Sequence, residues 1–300
     1  MPTIAFLGFG ELGTSLAGGL ARSGRHVLRA YARSHANPTP AIEQRLRSAG
    51  TELCTTLAAA VEGADAILAA VPGSASVALA ALCAPHVKHG ALYVDFSSSA
   101  PEDKRRCELS LAVADALYVD AAVLGTVAVS GPEVPILAAG PGAGELVAMV
   151  TSDGLRVTAI DAPTGQAALV KLLRSIYLKG RDALIVEMML VTRRYGLEEL
   201  VASSIGGPGE TVAFSALAER VLRGVALHAE RRAQELAVAC ELAERVGVEP
   251  SLARAGVQRL DDLARLGLGQ RLGDAEHLRG AAVLKAIDEL SPQGPQPKRR

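Results

Sequence analysis

The chain has 300 residues, 49% hydrophobic and 21% charged, enough for two domains with sizeable cores and too apolar for disorder. Its formal net charge is −1, from 31 Lys+Arg against 32 Asp+Glu, with 3% aromatic residues and no Trp. That balance argues against a nucleic-acid partner, which calls for a basic surplus or stacking aromatics. Cys54, Cys83, Cys107 and Cys240 form no C-x-x-C pair and no zinc spacing, the pattern of a reducing compartment. The sequence lacks an apolar run of about 18 residues, so no membrane span is predicted. The first basic residue is Arg22, so no signal peptide is expected and the expected location is cytoplasmic.

In chain order, residues 3–8 are an apolar run ending in glycine, as in a buried parallel strand. A helical pattern over 12–22 closes at Gly24, and 26–31 reads as a second strand. A helix is predicted over 42–49, with strands over 66–71, 91–95 and 117–123. Strands alternating with helices at this spacing predict βαβ units, hence an α/β fold with an N-terminal doubly wound, Rossmann-type parallel sheet. The pattern changes near Asp161-Ala162-Pro163. A helix over 166–195 follows, roughly 45 Å long at 1.5 Å per residue. Shorter helices are predicted over 197–204, 210–223, 226–246 and 250–265, making an all-helical second domain. The expected domains are therefore 1–161, binding a cofactor, and 162–290, for substrate and dimerisation. Residues 291–300, rich in Pro and Gln with a basic tip, read as a disordered tail.

Gly8-Phe9-Gly10-Glu11-Leu12-Gly13 is a G-x-G-x-x-G placed after a strand and opening a helix. In that context Gly8 permits a tight turn, Gly10 lets a pyrophosphate approach the backbone, and Gly13 lets helix and sheet pack closely. The helix N-terminus adds unpaired N–H groups and a positive dipole for the anion. A tight strand–helix turn that binds nothing is the alternative. The second strand ends Tyr31-Ala32-Arg33-Ser34, with no acid to take a ribose 2′-hydroxyl. Arg33, with Ser34 beside it, suits a 2′-phosphate through its planar fork, so NADP is expected over NAD.

Lys171 sits in an apolar stretch near the start of the long helix, with Ser175 at i+4 and Asp182 at i+11 on the same face. A lysine so placed, facing a cleft, can exchange a proton with a substrate oxygen once desolvation lowers its pKa. By spacing alone, a lysine snorkelling from a buried helix is the favoured reading.

With these residues in view the sequence resembles the β-hydroxyacid dehydrogenase superfamily, which includes 3-hydroxyisobutyrate and 6-phosphogluconate dehydrogenases and the imine reductases. The resemblance spans about residues 3–265. It rests on the glycine loop with its Arg-Ser strand end, on Ala70-Val71-Pro72, on Val94-Asp95-Phe96-Ser97-Ser98-Ser99-Ala100-Pro101, and on Gly165-x5-Lys171-x3-Ser175. It implies that Val71 and Pro72 lie beside the nicotinamide-ribose end and that Ser98 lies near cofactor and substrate. It also implies that Lys171 is the general acid/base of an NADP-dependent oxidoreductase acting on a hydroxy acid or its carbonyl form. The family's substrate loop Asp-x-Pro-Val-Ser-Gly-Gly is replaced here by Asp120-Ala-Ala-Val123-Leu124-Gly125-Thr126. Gly125 and Thr126 remain as candidate substrate contacts, and Ser175 stands where the family has Asn, leaving room for a bulkier substrate.

Other chemistries fit less well. No Tyr has a Lys four residues on, which excludes the Tyr-x-x-x-Lys of short-chain dehydrogenases, and no G-x-S-x-G elbow occurs. His86-x-x-His89 precedes a strand with no carboxylate nearby in sequence, so no metal site is expected. His228, Arg231 and Arg232 read as a charged helix face or as contacts to cofactor or substrate. An imine reductase and a non-catalytic NADP-binding regulator are the alternative functions; retention of Lys171 weighs against both. A small-molecule substrate is expected, bound in the cleft between domains. A long apolar helix with about 100 residues to cover it predicts a homodimer.

Overall fold

A computed structural model describes residues 1–32, 40–205, 214–245, 249–273 and 278–290. Arg33, Ser34 and the 291–300 tail lie outside the described residues. The chain divides into two compact units, Met1–Lys171 and Leu172–Arg300.

The first unit is an eight-stranded sheet with helices on both faces. In chain order it contains β1 (Thr3–Leu7), α1 (Glu11–Ser23), β2 (Val27–Tyr31), α2 (Pro40–Ser48), β3 (Thr51–Leu53) and α3 (Leu57–Val61). Then come β4 (Ala66–Ala69), α4 (Gly73–Cys83), β5 (Leu92–Asp95), α5 (Pro101–Leu111) and β6 (Leu117–Val123). It ends with α6 (Val127–Ser130), β7 (Ile136–Ala139), α7 (Ala143–Val150) and β8 (Val157–Ala159). The strand order is β3-β2-β1-β4-β5-β6-β7-β8, the Rossmann arrangement extended by two strands. Strands covered on both faces are expected to be mostly apolar; β4 is apolar and buried at every position, and β5 is buried throughout although it ends in Asp95. Successive side chains of β1 supply both layers. Ile4 and Phe6 join Leu16, Leu20 and Leu146 on one face, while Ala5 and Leu7 join Ile67, Tyr93 and Tyr118 on the other.

The doubly wound parallel sheet is as expected, with one antiparallel pair beyond its Rossmann strands. β7 runs antiparallel to β6, pairing Asp120 with Ala139 and Val123 with Ile136, and β8 then pairs parallel to β7. The connection from β6 to β7 holds only the one-turn α6 and a 3₁₀ turn, Gly131–Glu133. Without a full crossover helix the chain returns as a hairpin does.

Helix α8 (Gln166–Tyr195) leads into the second unit, where α9 (Glu198–Ile205), α10 (Phe214–Arg245), α11 (Ser251–Arg265), α12 (Leu268–Leu272) and α13 (Gly280–Leu290) follow. Their core includes Val186, Val225, Leu236, Leu260 and Val283. Two helical stretches meet within α10, as the separate helices expected over 210–223 and 226–246 implied, but the break is a kink at His228, where φ is −138° and ψ 22°, and not between 223 and 226. Gly224 does not end a helix. A Cβ there would collide with the Arg232 guanidinium, so the glycine admits a close side chain. No helix among the described residues is long and apolar enough to cross a membrane.

All four cysteines are buried thiols. Burial pushes the Cys83 thiol up to about 12 and the Cys107 thiol up to about 11. Both are therefore expected to resist iodoacetamide in the folded protein at about pH 8, where little thiolate forms, and to react fully in denaturant. Peptide mass spectrometry of the alkylated chain checks this, and rapid native labelling of Cys83 would contradict it.

Candidate active site

The four loops singled out from the sequence all leave the carboxyl ends of adjacent parallel strands. β1, β4, β5 and β6 are neighbours, with Leu7 opposite Ala69, Ala69 opposite Asp95, and Asp95 opposite Asp120. The chain winds outward from β1 in both directions, so β1 and β4 flank the switch point where ligands bind in such sheets.

Each glycine of the first loop has its own reason. Gly8 has φ +89°, and a Cβ on it would strike the Ala70 carbonyl oxygen. Its N–H donates to the Tyr31 carbonyl at 2.8 Å, so the turn also ties β1 to β2. A Cβ on Gly13 would come within 2.6 Å of the Gly8 carbonyl oxygen, so α1 packs against its own entry loop. Gly10, the N-cap of α1, has φ −79°, open to any residue, and a Cβ there meets nothing within 4 Å. Neither strain nor packing inside the chain asks for glycine at position 10. Its bare backbone at a helix N-terminus fits a pyrophosphate, with the first-turn N–H groups as donors. Phe9 is buried, whereas Glu11 is exposed and Leu12 half-buried. Val71 abuts the loop, its Cγ1 3.2 Å from where a Gly8 Cβ would lie, and Pro72 caps α4.

The lysine singled out for proton transfer contacts the serine that the family resemblance set near cofactor and substrate. Lys171 Nζ donates to Ser98 Oγ at 2.6 Å, joining α8 to the loop after β5 across 73 residues of sequence. Gly125 and Thr126 follow β6 and are exposed; a Cβ on Gly125 would press on Val134 and Pro135 at 3.0 Å. Ser175 is buried in the second unit. There too Asp182 accepts from Arg232 at 2.7 Å, and Arg231 donates to Glu235 at 3.1 Å.

His86 and His89 each find a carboxylate that is distant in sequence. His86 Nδ1 lies 3.3 Å from Glu62 and His89 Nε2 lies 3.3 Å from Asp115, so the two histidines engage different acids.

A buried charge cluster behind this pair was not foreseen. Lys104 on α5 has no exposed surface, nor does Asp120, and Asp95 has almost none. Lys104 Nζ donates to the Asp95 carbonyl at 2.8 Å and lies 3.3 Å from the Asp95 carboxylate and 3.5 Å from that of Asp120. Asp95 also accepts from the Ser97 N–H and the Tyr118 hydroxyl, each at 2.8 Å. Burial alone would raise the Asp95 carboxyl, but the Lys104 ammonium and the Ser97 and Tyr118 donors hold it below its ordinary value. Asp120 accepts from the N–H groups of Gly165 and Ala168 at 3.1 and 3.0 Å, capping α8. A signal for Lys104 was present: Pro101, Lys104, Cys107 and Leu111 form the buried stripe of α5, so this lysine occupies a core position.

Comparison with known proteins agrees with this architecture. A conserved hypothetical protein from Sinorhizobium meliloti 1021 is 28% identical, with 97% of each chain covered and a TM-score of 0.69. A 3-hydroxyisobutyrate dehydrogenase from Salmonella typhimurium has the same fold at 17% identity, over 95% of this chain and 99% of its own, with a TM-score of 0.74. An uncharacterised 28.5 kDa protein of Methanothermus fervidus is 24% identical over 80% of this chain and 88% of its own length. Residues 193–263 match a domain of unknown function, and residues 3–152 match the NAD binding domain of 6-phosphogluconate dehydrogenase. With its glycine loop, strand order and half its length in agreement, the chain belongs to the family of that NAD binding domain.

Proposed function

We propose that the chain is an NADP-dependent oxidoreductase acting on a hydroxy acid or its carbonyl form, with Lys171 as general acid/base. The observation that carries this reading is the 2.6 Å contact of Lys171 Nζ with Ser98 Oγ, in the unit that also holds the glycine loop. The bound nicotinamide supplies the hydride acceptor or donor, and the protein handles one proton and the substrate's position. Gly8 to Gly13 would hold the pyrophosphate, with Val71 and Pro72 beside the nicotinamide-ribose end. In the oxidative direction neutral Lys171 takes the substrate hydroxyl proton as its carbon gives up hydride; in reduction the ammonium returns it. Ser98 orients the amine and offers a hydroxyl to the reacting oxygen. Gly125 and Thr126 would line the substrate side. The test is turnover of NADP or NADPH against a panel of 3-hydroxy acids, sugar acids and their carbonyl forms. Failure with every member, by a protein shown to bind NADP, would overturn the reading.

NADP over NAD rests on the absence of an acid after Tyr31 and on the presence of Arg33. Arg33→Ala is expected to remove most of the preference, about 1–3 kcal/mol for a charge-assisted contact. Titration of each cofactor into both proteins measures it, and equal affinity in the wild type would refute the choice.

The homodimer belongs to the same proposal. Leu173, Tyr177 and Leu184 are exposed at i, i+4 and i+11 of α8, an apolar stripe that a second copy would cover. Light scattering at micromolar concentration is expected to give twice the 31.0 kDa chain mass.

A further inference from the structure

We propose that Lys104 is a positioning residue for the Lys171–Ser98 pair, acting through Asp95 and Asp120. The proposal rests on the reading of Lys171 as acid/base, but its geometry stands without it. Both members of the pair hang from segments held by this cluster. Asp95 fixes the loop that carries Ser98, through the Ser97 N–H at 2.8 Å. Asp120 fixes the first turn of α8, through Gly165 and Ala168, one turn before Lys171. Lys104 sits between the two carboxylates and also takes the Asp95 carbonyl, so one ammonium sets the spacing of loop and helix. Its own helix touches the same entrance: a Cβ on Gly165 would come within 3.0 Å of Pro101, the first residue of α5.

Stability alone does not call for this arrangement. Well-packed apolar side chains of similar volume are commonly as stable as a buried ion cluster, whereas removing one member strands the others. Here the two acids have divided their oxygens. One side of each faces Lys104, and the other accepts N–H groups from a different site-bearing segment. Loss of Lys104 leaves two buried carboxylates that repel or take up a proton. In either case the N–H contacts to the Ser98 loop and to α8 loosen, and Lys171 loses its fixed approach to Ser98.

The test needs no substrate. Acetic anhydride labelling of lysines in the full-length protein, read by peptide mass spectrometry, reports how firmly Lys171 is held. The exposed Lys88 and Lys285 serve as references, and alkylation of the buried Cys83 reports any opening of the unit. In Lys104→Met, Lys171 labelling is expected to rise about threefold or more, the size of one released hydrogen bond, with Cys83 still protected. Asp120→Asn keeps an oxygen for the α8 N–H groups but leaves Lys104 a weaker partner, and is expected to shift Lys171 the same way by less. Unchanged Lys171 labelling in a Lys104→Met protein with Cys83 protected would overturn the proposal. If Lys104→Met opens the unit, Asp120→Asn decides. Unchanged Lys171 labelling there, or Cys83 exposed together with Lys171, reduces Lys104 to a structural residue. Once a substrate is in hand, kcat in Lys104→Met should fall about tenfold or more while NADP affinity holds. Absence of turnover by the wild type would sink the oxidoreductase reading and leave the labelling result intact.

Discussion

Lys171→Met is expected to fold and bind NADP like the wild type while turnover falls by about 10² or more, the typical worth of a positioned acid/base. Methionine keeps an apolar stem of similar length in place of the half-buried lysine, so packing around the start of α8 changes little. What disappears is the amine 2.6 Å from Ser98 Oγ. A drop of that size is about 2.7 kcal/mol of transition-state stabilisation, too large for a lost surface charge. Ser98→Ala should cost less, and the double variant should be little worse than Lys171→Met, because the two side chains act as a unit. Steady-state kinetics with a saturating substrate check all three. Wild-type kcat in Lys171→Met would remove the lysine from the mechanism.

The glycine loop provides the second large effect, and its members should fail differently. Gly8→Ala places a Cβ on a residue at φ +89° and against the Ala70 carbonyl. Strain of about 1–3 kcal/mol is expected before any collision is counted. The thermal midpoint should then fall by several degrees, on the order of 2–4 °C per kcal/mol at this size. Gly10→Val has no such conflict, since a Cβ there meets nothing within 4 Å. Its apoprotein should melt within about 0.5 kcal/mol of the wild type, yet bind NADP at least about tenfold more weakly, because the new side chain fills the approach to the α1 N-terminus. Calorimetric melting without cofactor and NADP titration separate the two outcomes. Equal NADP affinity in Gly10→Val would mean that the loop is only a turn.

What could be read beforehand follows from the range of the forces involved. β1, β4, β5 and β6 are long or apolar enough to declare themselves, and the 166–195 helix lies where its periodicity put it. β3 and β8 have three residues each and sit at the sheet edges, too short for a period to show. β7, with the apolar run Ile136–Ala139, was detectable but lies between turns that masked it. The gap expected between 223 and 226 falls on Gly224, and a glycine that makes room for another side chain is indistinguishable, in sequence, from one that ends a helix. Lys104 was lost in Pro101-Glu102-Asp103-Lys104-Arg105-Arg106, where five charged residues in a row suggest a solvated face. Its place on the stripe with Pro101, Cys107 and Leu111 marks a core position, but the charged partners on β5 and β6 that let a lysine fill it lie outside the local pattern. Ser98 and Lys171 were legible as separate motifs, but only tertiary structure shows their contact.

The strand order also bears on how this architecture tolerates change. β1, β4, β5 and β6 each have a bonded neighbour on both sides, while the edges fall to β3 and β8. In amide exchange, central strands open only with the whole unit, and edge strands fray first. The loops bearing Gly10, Val71, Ser98 and Thr126 are therefore rooted in the slowest-exchanging part of the sheet. Each is a separate connection, so one can be rewritten while the frame that aims the others stays fixed. The stretch Leu124-Gly125-Thr126 is the kind of place where such rewriting can accumulate: it follows a strand paired on both edges, and two of its three residues lie in solvent. Change in this stretch is thus mechanically decoupled from the glycine loop after β1.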